Sequence, residues 1–473
     1  MISLKDKKYV DYFADLKCDR TQRLARILSY YTALLPFVAY TINCLLFCFF
    51  DIYNATYGLL NFQFLYAGIV YFCIIICFKA CKFSDINCIK TTFNFKNIKV
   101  KTKEFIKNYP EIICLAFMLV WALISCFFHT DSFRIFRKVN ENTFKMQSGI
   151  WTLAFSALCL WSSFKINNKI VRQHIIYTLI CVGIFVMCAC LIDPYCNLLI
   201  NQNRNTYWAS MFVNSNHFGY FLVLITGITA GTFCLCEDKK YKVASCVILL
   251  LALITTMFND TLGAQLSIFL GFIILPIVFS LFKRKFKLIY LAPLAFFITV
   301  TFACIPFVKT MNSLYTPFFK QVKGLIYDLF KITNDPLSQE SATAGTNRWG
   351  LWVDAIKEIV KNPLVGNGKT YVKPHNEYLE LALHYGIPTT LLYLSALIIV
   401  YVKAIKNYKK ISNLSLILLL TIGIYLIDAF FGNIMPHTTP FYCLLLGICI
   451  KQVNDDCKFN NEAKLTPTYN SLT

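Results

Sequence analysis

Arg348, Lys369, Lys373 and His375 stand near one another in the one long polar stretch of an otherwise apolar chain. Arginine and lysine stabilise phosphate, and a histidine beside them adds a group that titrates near neutral pH. Together they read as a phosphate-binding site with a titratable partner. The flanking pattern predicts how they are held. Trp349, Trp352, Val353, Ile356, Ile359 and Val360 recur at three- and four-residue steps, so they share one helical face. Thr346 is suited to cap that helix and Pro363 to stop it. Arg348 then lies in the first turn, where open backbone N–H groups and the helix dipole favour an anion. Gly366 and Gly368 mark a turn. Pro374 suits the first position of a second helix, which puts His375 and Asn376 in its opening turn. Each residue also has an ordinary reading. Arg348 can pair with Asp354, Glu358 or Glu340. Lys369 and Lys373 can be solvated loop lysines, and His375 a capping or core histidine. Trp349 and Trp352 suit packing or a membrane interface better than stacking on a sugar.

Two shorter stretches add polar groups. Asn214, Asn216 and His217 open an apolar run, where the amides can cap a helix or hold a sugar or phosphate oxygen. His217 can bond a backbone carbonyl there. Asp260 lies in the tight turn Asn259-Asp260-Thr261-Leu262-Gly263-Ala264 and is either a turn residue or a site acid.

The elements that must position these residues are membrane spans. The 473 residues are 57% hydrophobic, which leaves too little polar surface for a soluble protein of this size. Twelve apolar runs can be marked, near 27–50, 58–78, 110–129, 148–164, 174–193, 216–236, 243–258, 262–282, 288–308, 386–402, 414–431 and 439–450. Alternating sides from a cytoplasmic N-terminus puts 32 of the 46 Lys and Arg in cytoplasmic segments, the positive-inside pattern. The net charge of +21 is thus a topology signal and does not call for a nucleic-acid partner. Attraction to anionic membrane lipids is its second consequence. The outer basic residues are then the unusual ones: Arg134, Arg137, Lys138 and Lys145 in 129–147, Arg204, and nine more in the long loop 309–385. Of the 21 cysteines, only Cys196 falls in a segment placed outside, which excludes an extracytoplasmic disulfide framework. No metal-ligand spacing is present. The expected organisation is a single membrane domain over 1–473, with 309–385 as a large extracytoplasmic helical loop and 451–473 as a disordered cytoplasmic tail.

The order of these elements resembles the O-antigen ligase / O-antigen polymerase family of bacterial membrane glycosyltransferases. An Asn-x-Asn element opens a mid-chain span, a Gly-Ala turn follows two spans later, and a large loop carries Arg348-Trp349-x-x-Trp352. After these come a Pro-Leu-x-Gly-x-Gly turn and His375-Asn376-x-Tyr378-Leu379, ending in Gly386-Ile387-Pro388. The resemblance is strong over about 205–400. It implies an all-α, GT-C-like bundle of about twelve spans in the cytoplasmic (inner) membrane, both termini cytoplasmic and the active site outside. It implies transfer of a glycan from an undecaprenyl-diphosphate carrier to a glycan or lipid acceptor, without metal or cofactor. A polymerase of surface polysaccharide repeat units would also meet a chain-length regulator. The resemblance assigns Arg348 to the carrier diphosphate and His375 to the acceptor hydroxyl, with Gly366, Gly368 and Asn376 around them. Arg204, Asn214, Asn216, His217, Asp260, Lys369 and Lys373 are the further candidates for substrate binding. One departure stands out: many members have Ser-Arg-Gly where this chain has Thr261-Leu262-Gly263. Arg204, Lys373 or the basic loop 129–147 are the replacements to examine for that missing arginine.

Polymerase is the preferred reading, with ligase as the alternative. A flippase or transporter is the rival from another class. It would place ionisable residues deep in several spans, whereas His174, Asp193, His217, Asp260 and Asp428 fall near span ends or in turns.

Overall fold

The computed structural model describes residues 20–50, 103–129, 136–140, 143–146, 149–196, 212, 214–311, 316–345, 347–369, 372–436 and 438–462. The expected span at 58–78, Thr346, Arg134 and Arg204 lie outside these residues. Among the described residues the chain is almost wholly helical. In order come α1 (Arg20–Phe50), α2 (Pro110–Phe128), α3 (Gly149–Phe164), α4 (Lys169–Cys196), α5 (Ser215–Leu235), α6 (Lys239–Asn259), α7 (Leu262–Lys283) and α8 (Ala292–Met311). The loop helices are α9 (Phe318–Asn334), α10 (Gln339–Ala342), α11 (Arg348–Lys361) and α12 (Glu377–Tyr385). The chain closes with α13 (Ile387–Lys406), α14 (Asn413–Asp428) and α15 (Thr439–Glu462). One addition to the all-helical expectation is a small antiparallel hairpin in the basic loop. Its strands β1 (Phe136–Asn140) and β2 (Thr143–Met146) pair Arg137 with Lys145 and Lys138 with Phe144.

Among the described residues seven helices are long and apolar enough to cross a bilayer, and α3 and α14 are shorter apolar helices. This is a polytopic membrane protein. α5 is its central helix, buried from Phe218 to Leu235 except at Thr232. Without a hydrophobic drive between helices in lipid, close approach comes from small residues. An added Cβ on Gly227 would sit 2.9 Å from the backbone of Thr421 in α14, and one on Gly219 would sit 3.1 Å from Ala264 in α7.

Polar groups collect at the two ends of the bundle. At one end Arg172 pairs with Asp455 at 2.7 Å, Lys403 with Glu111 at 2.6 Å, and Asn413 Nδ2 donates to Leu235 O at 3.0 Å. These contacts correct the expected tail. Residues 451–462 continue α15, because Asn454 donates to Glu111 at 2.6 Å and Asp456 accepts the Ser412 N–H at 2.9 Å.

The other end carries the long loop. Asn259 Nδ2 there donates to Ser215 O at 3.0 Å, joining the α6–α7 turn to the start of α5. Trp121 Nε1 of α2 donates to Leu364 O at 2.9 Å, and Ser125 Oγ donates to Val365 O. Within the loop, α11 packs on α12 through Ala355 and Ile359 against Ala382 and Leu383. The buried stripe of α11 is narrower than its apolar pattern predicts. Ile356 and Val360 are 47% and 72% exposed, because among the described elements α11 rests mainly on α12 and the short α10. Trp349 is a packing residue, its Nε1 donating to Pro336 O at 2.8 Å.

Candidate functional site

The site is built where α12 docks on the end of α14. Asn376 caps α12, its Oδ1 accepting the N–H groups of Tyr378 and Leu379 at 3.1 and 3.0 Å. The Glu377 N–H donates to Ala429 O at 2.8 Å, and Tyr425 donates its hydroxyl to Glu377 Oε1 at 2.7 Å. Burial pushes the Glu377 carboxyl up to about 8, against the pull of the Tyr425 hydroxyl. One turn on, the buried Glu380 accepts from Lys373 on one oxygen and from the Ile434 N–H, at 2.9 Å, on the other. Burial raises Glu380 while Lys373 opposes the rise. Glu380 thus fastens the segment carrying His375 to the segment carrying Asn433.

His375 precedes α12 and is not in its first turn, because Asn376 holds the cap position. Its φ of +54° lies in the left-handed region, which histidine enters more readily than most side chains. Asn433 holds it twice: Oδ1 accepts the His375 N–H at 2.9 Å, and Nδ2 lies 3.0 Å from Nδ1 of the ring. Burial lowers the basicity of His375, and the charges of Arg348 and Lys373 lower it further.

Arg348 begins α11 and is half-buried. Its guanidinium lies over the ring of Phe431, 5.9 Å from the centroid, and its charge is also felt at Asp428 and at the Tyr220 hydroxyl of α5. The alternative partners are otherwise engaged: Asp354 with Lys357, Glu358 with Lys361 and Glu340 with Lys331. Among the described residues no carboxylate comes within ion-pair distance of Arg348. The structure therefore brings Arg348, His375 and the start of α5 to one place, with Asp428 and Phe431 beside them.

The expected role of two open helix starts does not survive. At α11 the Arg348 N–H donates to Gly345 O at 3.4 Å and the Trp349 N–H to Ala344 O at 3.3 Å. Asn347, with φ +69°, occupies the cap position expected of Thr346 and makes no side-chain cap bond. At α12 the first N–H groups go to Ala429 and Asn376. The first two amides of α11 and the first three of α12 are thus occupied, which shifts the weight of anion binding to side chains.

Other candidates divide as follows. Asn214 is a helix cap, its Oδ1 accepting the Asn216 N–H at 2.8 Å. Asn216 and His217 follow it, half-buried, in the first turn of α5. Asp260 adopts φ +54° in its turn and accepts from Gln321 Nε2 of α9 at 3.2 Å; burial raises it to about 6. Lys369 is exposed. Gly366 and Gly368 form a packing turn, with the Asn367 N–H on Leu383 O at 2.8 Å and the Gly368 N–H on His384 O at 3.3 Å. Lys373 is committed to Glu380, which makes it a poor substitute for the arginine missing at Leu262. Arg137, Lys138 and Lys145 fall on the hairpin.

Sequence reasoning missed Asn433, Glu380 and Phe431, and passed over Asp428 as a span-end residue. Asp428 is buried, and its Oδ1 accepts from Ser267 Oγ at 3.4 Å. A second buried histidine, His384, has Nε2 2.9 Å from Val372 O; burial depresses it to about 3, so it is a neutral structural donor. Behind Glu377 lies an apolar cavity of about 340 Å³ between α2, α3, α13 and α15, lined by Leu115, Leu119, Leu153, Tyr393 and Tyr442 among others.

Fold and site together define a helical membrane protein with a polar cluster, Arg348, His375 and Asn433 among it, under one large loop. Residues 247–394, from α6 into α13, match the family model described as O-antigen ligase. A comparison with curated proteins returned no match.

Proposed function

We propose that this protein moves a glycan from an undecaprenyl-diphosphate carrier to an acceptor hydroxyl at the outer face of the cytoplasmic membrane, polymerising surface polysaccharide repeat units. The observation that carries the reading is the nearness of Arg348 to His375 inside the matched domain, with no carboxylate at ion-pair distance from Arg348 among the described residues. In the transfer, the bond from the anomeric carbon to the diphosphate oxygen breaks and its electron pair leaves on that oxygen. The acceptor oxygen bonds the anomeric carbon and loses its proton. Charge grows on the diphosphate, and Arg348, whose guanidinium can bond two oxygens at once, is suited to stabilise it. The donor is already activated, so no other energy source is needed.

The test is glycan transfer in proteoliposomes holding a purified undecaprenyl-diphosphate repeat unit, with Arg348→Ala and His375→Ala beside the wild type. A ladder of chain lengths, lost in both variants at equal protein level, is the expected result. Transfer of a single block to a lipid acceptor without a ladder would make the protein a ligase. Carrier appearing on the opposite leaflet without transfer would make it a flippase.

A further inference from the structure

His375 has two roles open to it, base for the acceptor hydroxyl or hydrogen-bond donor to the diphosphate, and its contacts decide between them. Asn433 Oδ1 accepts the His375 backbone N–H at 2.9 Å. A backbone N–H can only donate, so the orientation of the Asn433 amide is set. Its Nδ2, which can only donate, then faces Nδ1 of the ring at 3.0 Å. Nδ1 must accept, and the proton of the neutral imidazole therefore sits on Nε2.

We propose that Asn433 is a positioning residue that holds His375 as the Nε2–H tautomer, so that His375 donates a hydrogen bond to the carrier diphosphate and does not take the acceptor proton. This rests on the glycan-transfer reading above. The surroundings agree. The first two amides of α11 and the first three of α12 are occupied, and Lys373 is committed to Glu380, so Nε2–H is an N–H beside Arg348 that Asn433 leaves for substrate. The ring also stays neutral, since burial, Arg348 of α11 and Lys373 of its own segment all oppose a positive charge, and the side chain packed against it from beyond α14 is the neutral Asn433. The proton from the acceptor hydroxyl then goes to the departing diphosphate, on whose oxygen the step has left an electron pair.

Two measurements on the full-length protein test this. The first is the tautomer, read from ring ¹⁵N shifts of histidine-labelled protein in lipid nanodiscs, with the His375 signals assigned by their loss in His375→Gln. A proton on Nε2 is expected, and a proton on Nδ1 would overturn the proposal. No turnover is involved, so failure of the glycan-transfer reading shows separately, as an inactive wild type. The second is transfer by three variants. Gln places an N–H donor where Nε2–H stands but cannot act as a base. His375→Gln should retain about ten- to a hundredfold more activity than His375→Ala, the worth of a charge-assisted hydrogen bond. Asn433→Asp replaces the donor facing Nδ1 with an acceptor, which draws the proton to Nδ1 and raises the histidine pKa. Its activity should fall as pH rises through that new pKa, because Nε2 then loses its hydrogen, whereas the wild type shows no such fall. The added negative charge lowers activity at every pH, so the slope is the readout. Activity of Asn433→Asp that rises with pH, or equal loss in the Gln and Ala variants, would make His375 the base.

Discussion

Replacing Lys373 by methionine tests whether the Lys373–Glu380 pair is the latch that holds the site. Glu380 is 1% exposed, and its second oxygen has the Ile434 N–H as partner. Lys373→Met leaves that carboxylate in the same hole with one donor fewer. Stranding a buried charge costs about 3–5 kcal/mol. Protonation is the cheaper escape, at about 1.4 kcal/mol for each unit of pKa that must be overcome, and burial already raises Glu380. Lys373 is itself 20% exposed, so water reaches one side of the pair. The expected loss therefore sits at the lower bound, about 3 kcal/mol at pH 7.5. The pH dependence has a definite sign. A carboxyl whose folded pKa is above its unfolded value, about 4.3, loses stability as pH rises from the unfolded towards the folded pKa. Lys373→Met should thus recover as pH is lowered from 7.5 to 5, by up to about 1.4 kcal/mol per unit. The double variant Lys373→Met with Glu380→Gln removes the stranded charge, so it should regain most of the loss and show no such dependence. Stability can be followed in detergent by denaturant titration with a thiol-reactive dye, since Cys126, Cys159 and Cys190 are buried and become reactive on unfolding. Losses in the two single variants that add in the double to within about 0.5 kcal/mol would refute the coupling. So would a pH-independent Lys373→Met.

Three further outcomes are expected. Arg348→Ala should lower kcat/KM for glycan transfer by about 10²–10³-fold, as the loss of one charge-stabilising group does, with an unfolding midpoint that falls only slightly, because among the described residues no ion pair is broken and only the contact with the Phe431 ring is lost; a strongly destabilised variant would assign the arginine a structural role. Asn376→Ala should cost about 1 kcal/mol of stability and Asn376→Asp far less, with KM unchanged in both, since the side chain is spent on the N–H groups of Tyr378 and Leu379; a raised KM at intact stability would return it to the substrate site. Asp260 is raised from 3.8 to about 6 by burial, so its contribution to stability falls as pH rises through that window, and Asp260→Asn should remove this part of the wild-type pH–stability curve; two superimposable curves would show that the burial has no effect.

Much of the architecture is legible in the chain itself. Span positions follow from runs of apolar residues whose length matches a bilayer, a local property that needs no partner, and eleven of the twelve runs coincide with helices while the run at 58–78 lies outside the described residues. The loop 309–385 is likewise visible as the interval between two such runs, and α8 ends at Met311 while α13 begins at Ile387. The residues of the site, Arg348 and His375, stand out because charged and titratable groups are rare in so apolar a chain.

Tertiary structure decided how those residues are used. The open amides expected at two helix starts are closed by Gly345 O, Ala344 O, Ala429 O and Asn376, and a one-dimensional pattern does not say which acceptors come within reach. Lys373 looks like a phosphate ligand until Glu380 is seen beneath it. The residue that sets the His375 proton, Asn433, lies 58 positions along the chain, between α14 and α15, with no motif around it. Type and spacing determine what a residue can do when helix and span are local. Which of those abilities remain for a substrate depends on hydrogen bonds between segments far apart in sequence, and these form only once α12 is docked on α14.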